Sequence, residues 1–146
     1  MQNAVVISDS ELIEASVKVM KNSYSPYSNF PVGAALLTKC GKIITGANIE
    51  NASFGGTICA ERSAFVSAIS SGYKDFVAVA VSTNLAVPGS PCGICRQFMI
   101  EFGNIKVILN STTTNKIEIV ELKDLLPKAF TPKSLETFNE ENKGKN

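Results

Sequence analysis

The apolar positions of this chain change period several times, and each change marks an element. Leu12, Ile13, Ala15, Ser16, Val19 and Met20 recur at helical spacing behind Ser8-Asp9-Ser10-Glu11. That tetrapeptide is a capping box, in which the Ser8 side chain accepts from the Glu11 N–H while the Glu11 side chain reaches back. The run Ser25-Pro26-Tyr27-Ser28-Asn29-Phe30-Pro31 cannot continue a helix, because its prolines remove donors and push the residues before them toward extended conformations. Residues 32–38 and 42–49 then read as two strands joined by the turn Lys39-Cys40-Gly41.

A loop containing Gly55-Gly56 leads to a helix beginning at Cys59. Its small residues Ala60, Ser63, Ala64, Ser67 and Ala68 allow close packing on a sheet, with Phe65, Val66 and Ile69 filling gaps, and Ser70-Ser71-Gly72 stops it. Residues 76–82 form a near-continuous β-type run, which predicts a strand covered on both faces. Beyond a turn-rich loop come a helix over 92–102, strands over 105–109 and 116–120, and a short helix over 121–126 closed by Pro127. This order predicts an α/β fold: a three-layer α/β/α sandwich with a five-stranded mixed sheet. Residues 1–138 are expected to form a single domain, and the polar, aperiodic residues 139–146 a mobile tail.

Composition narrows the function. Fourteen basic and thirteen acidic residues leave a net charge of +1, so no strong field draws the chain to nucleic acid or to an anionic membrane, and a small-molecule partner is expected. The N-terminal residues lack a cationic stretch followed by a long apolar one, and no apolar run reaches the ~18 residues of a membrane span. Four cysteines without a secretion signal fit a reducing, cytoplasmic setting in which thiols bind metal or stay free. Histidine is absent, so a metal would have to be held by sulfur or carboxylate.

The chemistry lies between Cys59 and Cys95. Cys59-Ala60-Glu61 opens one predicted helix and Pro91-Cys92-Gly93-Ile94-Cys95 opens another. A catalytic zinc typically takes three protein ligands and leaves a fourth position open, and Cys59, Cys92 and Cys95 supply that count. Helix N-termini lower thiolate pKa values, and Arg62, if it is not simply a surface charge, can donate to a thiolate and offset the excess negative charge. Glu61 is the motif residue fit to carry protons. Asn48 and Glu50 are two apart, so on extended backbone they share a face, either as a grip on vicinal hydroxyls or as a polar strand end in solvent. A thioredoxin-type pair at Cys92 and Cys95 would leave Cys59-Ala60-Glu61 unexplained. A structural four-thiol site would need Cys40, which sits in the hairpin turn and reads as a bystander. A nucleic-acid editing enzyme would share the site, but the near-zero charge argues against a grip on phosphates.

The two motifs together are the known signature of zinc deaminases in its three-cysteine form. Over residues 11–135 the chain resembles the small homotetrameric cytidine deaminases. The resemblance is carried by the segments 25–34 and Gly46-Ala47-Asn48-Ile49-Glu50-Asn51-Ala52-Ser53, by Cys59-Ala60-Glu61-Arg62 and Pro91-Cys92-Gly93-Ile94-Cys95-Arg96-Gln97, and by Leu125-Leu126-Pro127-Lys128-Ala129-Phe130. It implies one Zn²⁺ per subunit on Cys59, Cys92 and Cys95, with Glu61 shuttling protons. Asn48 and Glu50 would bind the sugar, the Ala60 backbone and Glu61 would read the base, and Phe30 would pack on the pyrimidine. Phe130 would reach into a neighbouring subunit's site within a homotetramer. The implied reaction is hydrolysis of cytidine and deoxycytidine to uridine and deoxyuridine with release of ammonia, in pyrimidine salvage. Phe54 stands where many members have tyrosine; its ring can still line the intersubunit pocket, but a phenol hydrogen bond is lost. The Asn48-x-Glu50 pair argues against the related blasticidin-type deaminases, whose corresponding segment lacks that glutamate, and deamination of another cytosine-containing nucleoside such as blasticidin S stands as the secondary reading.

Overall fold

Alternation along the strands decides which helix covers which face of the sheet. In the computed structural model, which describes residues 6–145, strands β1 (Val32–Thr38), β2 (Ile43–Ala47), β3 (Phe76–Thr83), β4 (Lys106–Ser111) and β5 (Ile117–Glu121) form one sheet in the order β2-β1-β3-β4-β5. Pairing is antiparallel except between β3 and β4, which run parallel. Ala35, Ala78, Ala80 and Ile108 point to one face and pack with Leu12 of helix α1 (Asp9–Val19). Ala34, Leu36, Val79, Val81, Val107 and Leu109 point to the other, against α2 (Ala60–Ser70) and α3 (Gly93–Ile100). The expected three-layer sandwich with its mixed five-stranded sheet is therefore what forms. The capping box at Ser8 and Glu11 is present as well, with Glu11 Oε2 accepting from Ser8 N at 2.7 Å.

Helix α2 sits close because one strand residue lacks a side chain. A Cβ on Gly46 of β2 would fall 2.3 Å from the Ala64 backbone nitrogen, so only glycine allows this approach. Ala60, Ala64 and Ala68 line the buried side of α2, and Phe65 anchors it within a ring cluster of Phe76, Phe98 and Phe102. Val66, expected to fill a gap, is exposed, because the glycine seat brings the alanine stripe inward and turns the neighbouring position out.

Register places the site. Gly33 pairs with Ala47, and Val32 with Thr83, so the start of β1 and the ends of β2 and β3 share one edge of the sheet. The loop after β3 returns at that edge to start α3, and the segment after β2 returns there to start α2. Strand β2 stops at Ala47, two residues before the expected Ile49, yet Ile49 stays extended through bridges to Tyr24 and Ile58.

The C-terminal region differs from expectation. After α4 (Leu122–Leu125), a further helix α5 (Pro132–Glu141) begins at Thr131, with a capping box to Ser134 and proline in its first turn. It takes in residues 139–141 of the expected tail. Its two large apolar residues, Leu135 and Phe138, stand three apart on one face, a short helical signal, and both are exposed in the fold. The remainder of α3 also stops at Ile100 rather than Phe102. Residues 1–5, part of the stretch read as lacking an export signal, and Asn146 of the expected tail lie outside the described residues. Among the described residues no helix is long and apolar enough to cross a membrane.

Gly46→Ala should lower unfolding stability by at least about 2 kcal/mol in a denaturant titration, since the new methyl meets backbone rather than a yielding side chain. A cost under about 0.5 kcal/mol would show that α2 is not seated as described.

Candidate metal centre and substrate cavity

Each helix contributes its thiols from its first turn. Cys59 is the N-cap of α2, Cys92 is the N-cap of α3, and Cys95 lies one turn further at the third helical position. Neither helix has a side-chain cap, so their leading N–H groups and positive dipole ends face the thiols. The three sulfur atoms lie within 4.8 Å of one another, and all are free rather than disulfide-bonded. Two sulfurs on one tetrahedral zinc with Zn–S of about 2.3 Å stand about 3.8 Å apart. The Sγ atoms of Cys59 and Cys92 are separated by 3.8 Å, so the donor set fits zinc in kind and number, and this pair fits it in spacing. Cys40 is exposed in its turn beside Thr38 and takes no part in the cluster.

The surroundings tune these thiols. The neighbouring Cys95 thiol, with help from Arg62 and Cys92, pushes the Cys59 thiol down to about 5. The same contact with Cys59, together with burial, pushes Cys95 up. Arg62 Nη2 lies 3.7 Å from Cys59 Sγ and 3.4 Å from the Thr57 carbonyl, so it turns toward the cluster rather than into solvent. Glu61 is only 5% exposed, and its Oε2 lies 3.7 Å from Cys95 Sγ. Burial raises its pKa, which favours a protonated carboxyl when no compensating charge is near.

A cavity of about 370 Å³ opens in front of the cluster, within the range of small-ligand sites. Cys59, Ala60, Glu61 and Cys92 line it together with Phe30, Asn48 and Glu50. The Asn48 carboxamide oxygen accepts from Val32 N at 2.9 Å and from the Ser23 hydroxyl, and its nitrogen donates to the Phe30 carbonyl at 2.8 Å. One amide hydrogen remains for a ligand. Glu50 accepts from Tyr27 N at 2.9 Å, from Ser28 N at 3.1 Å and from the Ser28 hydroxyl. Both residues thus pin the loop that carries Phe30 while presenting polar edges to the cavity.

Two aromatic candidates lie elsewhere. Phe54 is 73% exposed, packs edge-on against Tyr27 at 5.5 Å, and borders a neighbouring hollow rather than the cavity. Phe130 is 60% exposed and does not line its own chain's cavity; its carbonyl accepts from Gln97 Nε2 at 2.9 Å. A residue that sequence reasoning passed over is Arg96. Its Nε donates to the Pro91 carbonyl at 2.7 Å, Nη2 to Ser90 Oγ at 2.7 Å, and Nη1 to the Leu125 carbonyl at 2.8 Å. This fork fixes the approach to Cys92, and the only hint in the sequence was its place beside Cys95.

The model of the cytidine and deoxycytidylate deaminase zinc-binding region matches residues 6–111. The chain belongs to this deaminase family. It is 46% identical over 126 residues to a cytidine deaminase of Halalkalibacterium halodurans, covering 85% of this chain and 95% of that protein. A cytidine deaminase of Sporosarcina psychrophila is also 46% identical, over 127 residues, covering 86% and 93%. The crystal structure of cytidine deaminase from Burkholderia pseudomallei superposes with a TM-score of 0.82 at 44% identity, covering 85% of this chain and all of that one. The family is zinc-binding, in agreement with the three-thiol cluster.

The Glu50 lock is testable by pH. The Ser28 hydroxyl, aided by the Ser28 and Tyr27 N–H groups, holds the Glu50 carboxyl below its ordinary 4.5. A depressed carboxyl pKa means the lock is fully formed above that ordinary value and is lost only as pH falls through the lower one. Carbon-detected NMR should place the Glu50 midpoint below 4.5 and show it rising toward 4.5 in Ser28→Ala. An unchanged midpoint would deny the contact.

Proposed function

We propose that the protein hydrolytically deaminates cytidine and deoxycytidine to uridine and deoxyuridine, releasing ammonia, as a cytoplasmic enzyme of pyrimidine salvage. The observation that carries this reading is a single cavity lined by two of the three clustered thiols, by a buried carboxyl and by the Asn48–Glu50 pair. The names of the relatives agree with it.

Cys59, Cys92 and Cys95 would hold one Zn²⁺, whose Lewis acidity makes water a competent nucleophile at neutral pH. The chain's own residues do the rest. Asn48 donates its free amide hydrogen to the sugar, and Glu50 accepts from a sugar hydroxyl. Phe30 packs on the pyrimidine, and the Ala60 N–H and Glu61 read the polar edge of the base. Glu61 takes a proton from the attacking water and delivers it to ring N3 as the C4–O bond forms. It then carries the remaining hydroxyl proton to the exocyclic amine, so that ammonia leaves as the C4 carbonyl closes. Arg62 donates to Cys59 and offsets the charge of three thiolates.

A homotetramer with sites at subunit interfaces fits the same reading. Phe130 and Phe54 are both large, apolar and exposed in the single chain, as expected of side chains that complete a neighbour's site.

Glu61→Gln tests the central role. The variant should fold, retain zinc and lose about 10²–10⁴-fold in turnover of cytidine followed by ultraviolet absorbance. Turnover within threefold of wild type would remove Glu61 from proton transfer.

A further inference from the structure

The loop from β3 to α3 is held in two different ways along its length. The carbonyls of residues 83–86 are taken by hydroxyls of residues 111–114: Thr83 by Thr112, Asn84 by Thr113 at 2.6 Å, Leu85 by Ser111, and Ala86 by Thr114 at 2.7 Å. Beyond Ala86 that support ends. Among the described residues, Ser90 and Pro91 are the only members of residues 87–91 that take part in a hydrogen bond, and both of their bonds come from Arg96. Yet this stretch serves the site directly, since Gly89, Ser90 and Cys92 line the cavity and Cys92 belongs to the thiol cluster.

Arg96 folds back from the first turn of α3, where its own N–H bonds the Cys92 carbonyl at 3.0 Å. Its Nε and Nη2 hold Pro91 and Ser90, while Nη1 reaches the Leu125 carbonyl on a separate segment. A planar, permanently charged fork serves three acceptors lying in different directions; an ammonium offers its donors from a single point. Gln97, the next residue, donates to the Phe130 carbonyl, so the run from Leu125 to Phe130 is fastened to the same turn of α3. Arg96 differs from Arg62, which lies 3.7 Å from Cys59 Sγ. It bonds no sulfur and does not line the cavity.

We propose that Arg96 is a positioning residue for the reaction: its guanidinium holds residues 89–92 in the arrangement that presents Cys92 to the metal and keeps Gly89 and Ser90 as cavity wall. The part concerning turnover rests on the cytidine-deaminating reading, whereas the part concerning the metal stands on the thiol cluster alone. Groups that orient a metal-ligating side chain without touching the metal change metal affinity or activity by about 10–100-fold when removed.

The experiment compares wild type with Arg96→Ala, Arg96→Lys and Ser90→Ala, each loaded with zinc and its metal content measured. Two quantities are read: the rate of zinc transfer to a chromogenic chelator, and kcat and KM for cytidine at equal zinc loading. Arg96→Ala should release zinc at least about tenfold faster and lose at least about tenfold in kcat/KM. Arg96→Lys should do no better, because charge without the fork cannot hold Ser90 and Pro91 together, and it carries the same two readouts if Arg96→Ala does not fold. Guanidinium ion at millimolar concentration, far below denaturing levels, should bring both quantities of Arg96→Ala back toward wild type, a response that a general loss of packing would not give. Ser90→Ala should have a smaller effect, and none in the Arg96→Ala background. Arg96 variants within about twofold of wild type in both quantities, full restoration by lysine, or no response to guanidinium overturns the role of Arg96. Zinc-loaded wild type that leaves cytidine intact overturns the functional reading, and the zinc release rates then still decide whether Arg96 holds the metal loop.

Discussion

Three sulfur atoms must meet within a few ångströms although they come from two helices, and much of the molecule can be understood as meeting that demand. Two helix N-termini have to arrive at the same sheet edge, which the register of β1 against β2 and β3 secures. The depth of α2 is set by Gly46, and the approach to α3 is set by the Arg96 fork on Pro91, Ser90 and Leu125. Because the sulfurs sit in first turns, they gain the field of two helix dipoles, which favours thiolates over thiols.

The polar residues around the cavity have two tasks at once. Asn48 and Glu50 spend most of their hydrogen-bonding capacity on the chain itself, locking residues 23–32 against the end of β2. What remains for a ligand is small and well aimed: one amide hydrogen and the free lone pairs of a carboxylate. A site built this way binds with little rearrangement, because side chains whose rotamers are fixed by other partners lose little freedom when a ligand arrives. The hydroxyls of residues 111–114 likewise hold successive carbonyls of residues 83–86, a segment that lines the cavity with Thr83 and Leu85.

The strongest features were legible in the residues. Strand β3, buried on both faces, announced itself as a continuous β-type run, and the alanine stripe of α2 forecast its close seat. The spacing of Cys59, Glu61, Cys92 and Cys95 carried the metal centre. Asn48 and Glu50 were legible as a same-face pair, but their locking of the 23–32 loop was not, because Ser23, Tyr27 and Ser28 are more than twenty residues away and look like ordinary loop residues. Helix α5 escaped because its apolar signal is only Leu135 and Phe138, three apart on a face left exposed within the chain, amid otherwise polar residues.

The account rests on zinc chemistry and nucleoside recognition sharing one cavity. The direct measurement is cytidine loss with uridine and ammonia formation, on purified wild-type protein whose zinc-to-chain ratio is determined on the same sample, before and after chelation and zinc restoration. The account predicts about one zinc per chain, equal yields of uridine and ammonia, loss of turnover on chelation and its return with zinc. Protein that holds one zinc per chain yet turns over neither cytidine nor deoxycytidine would contradict it.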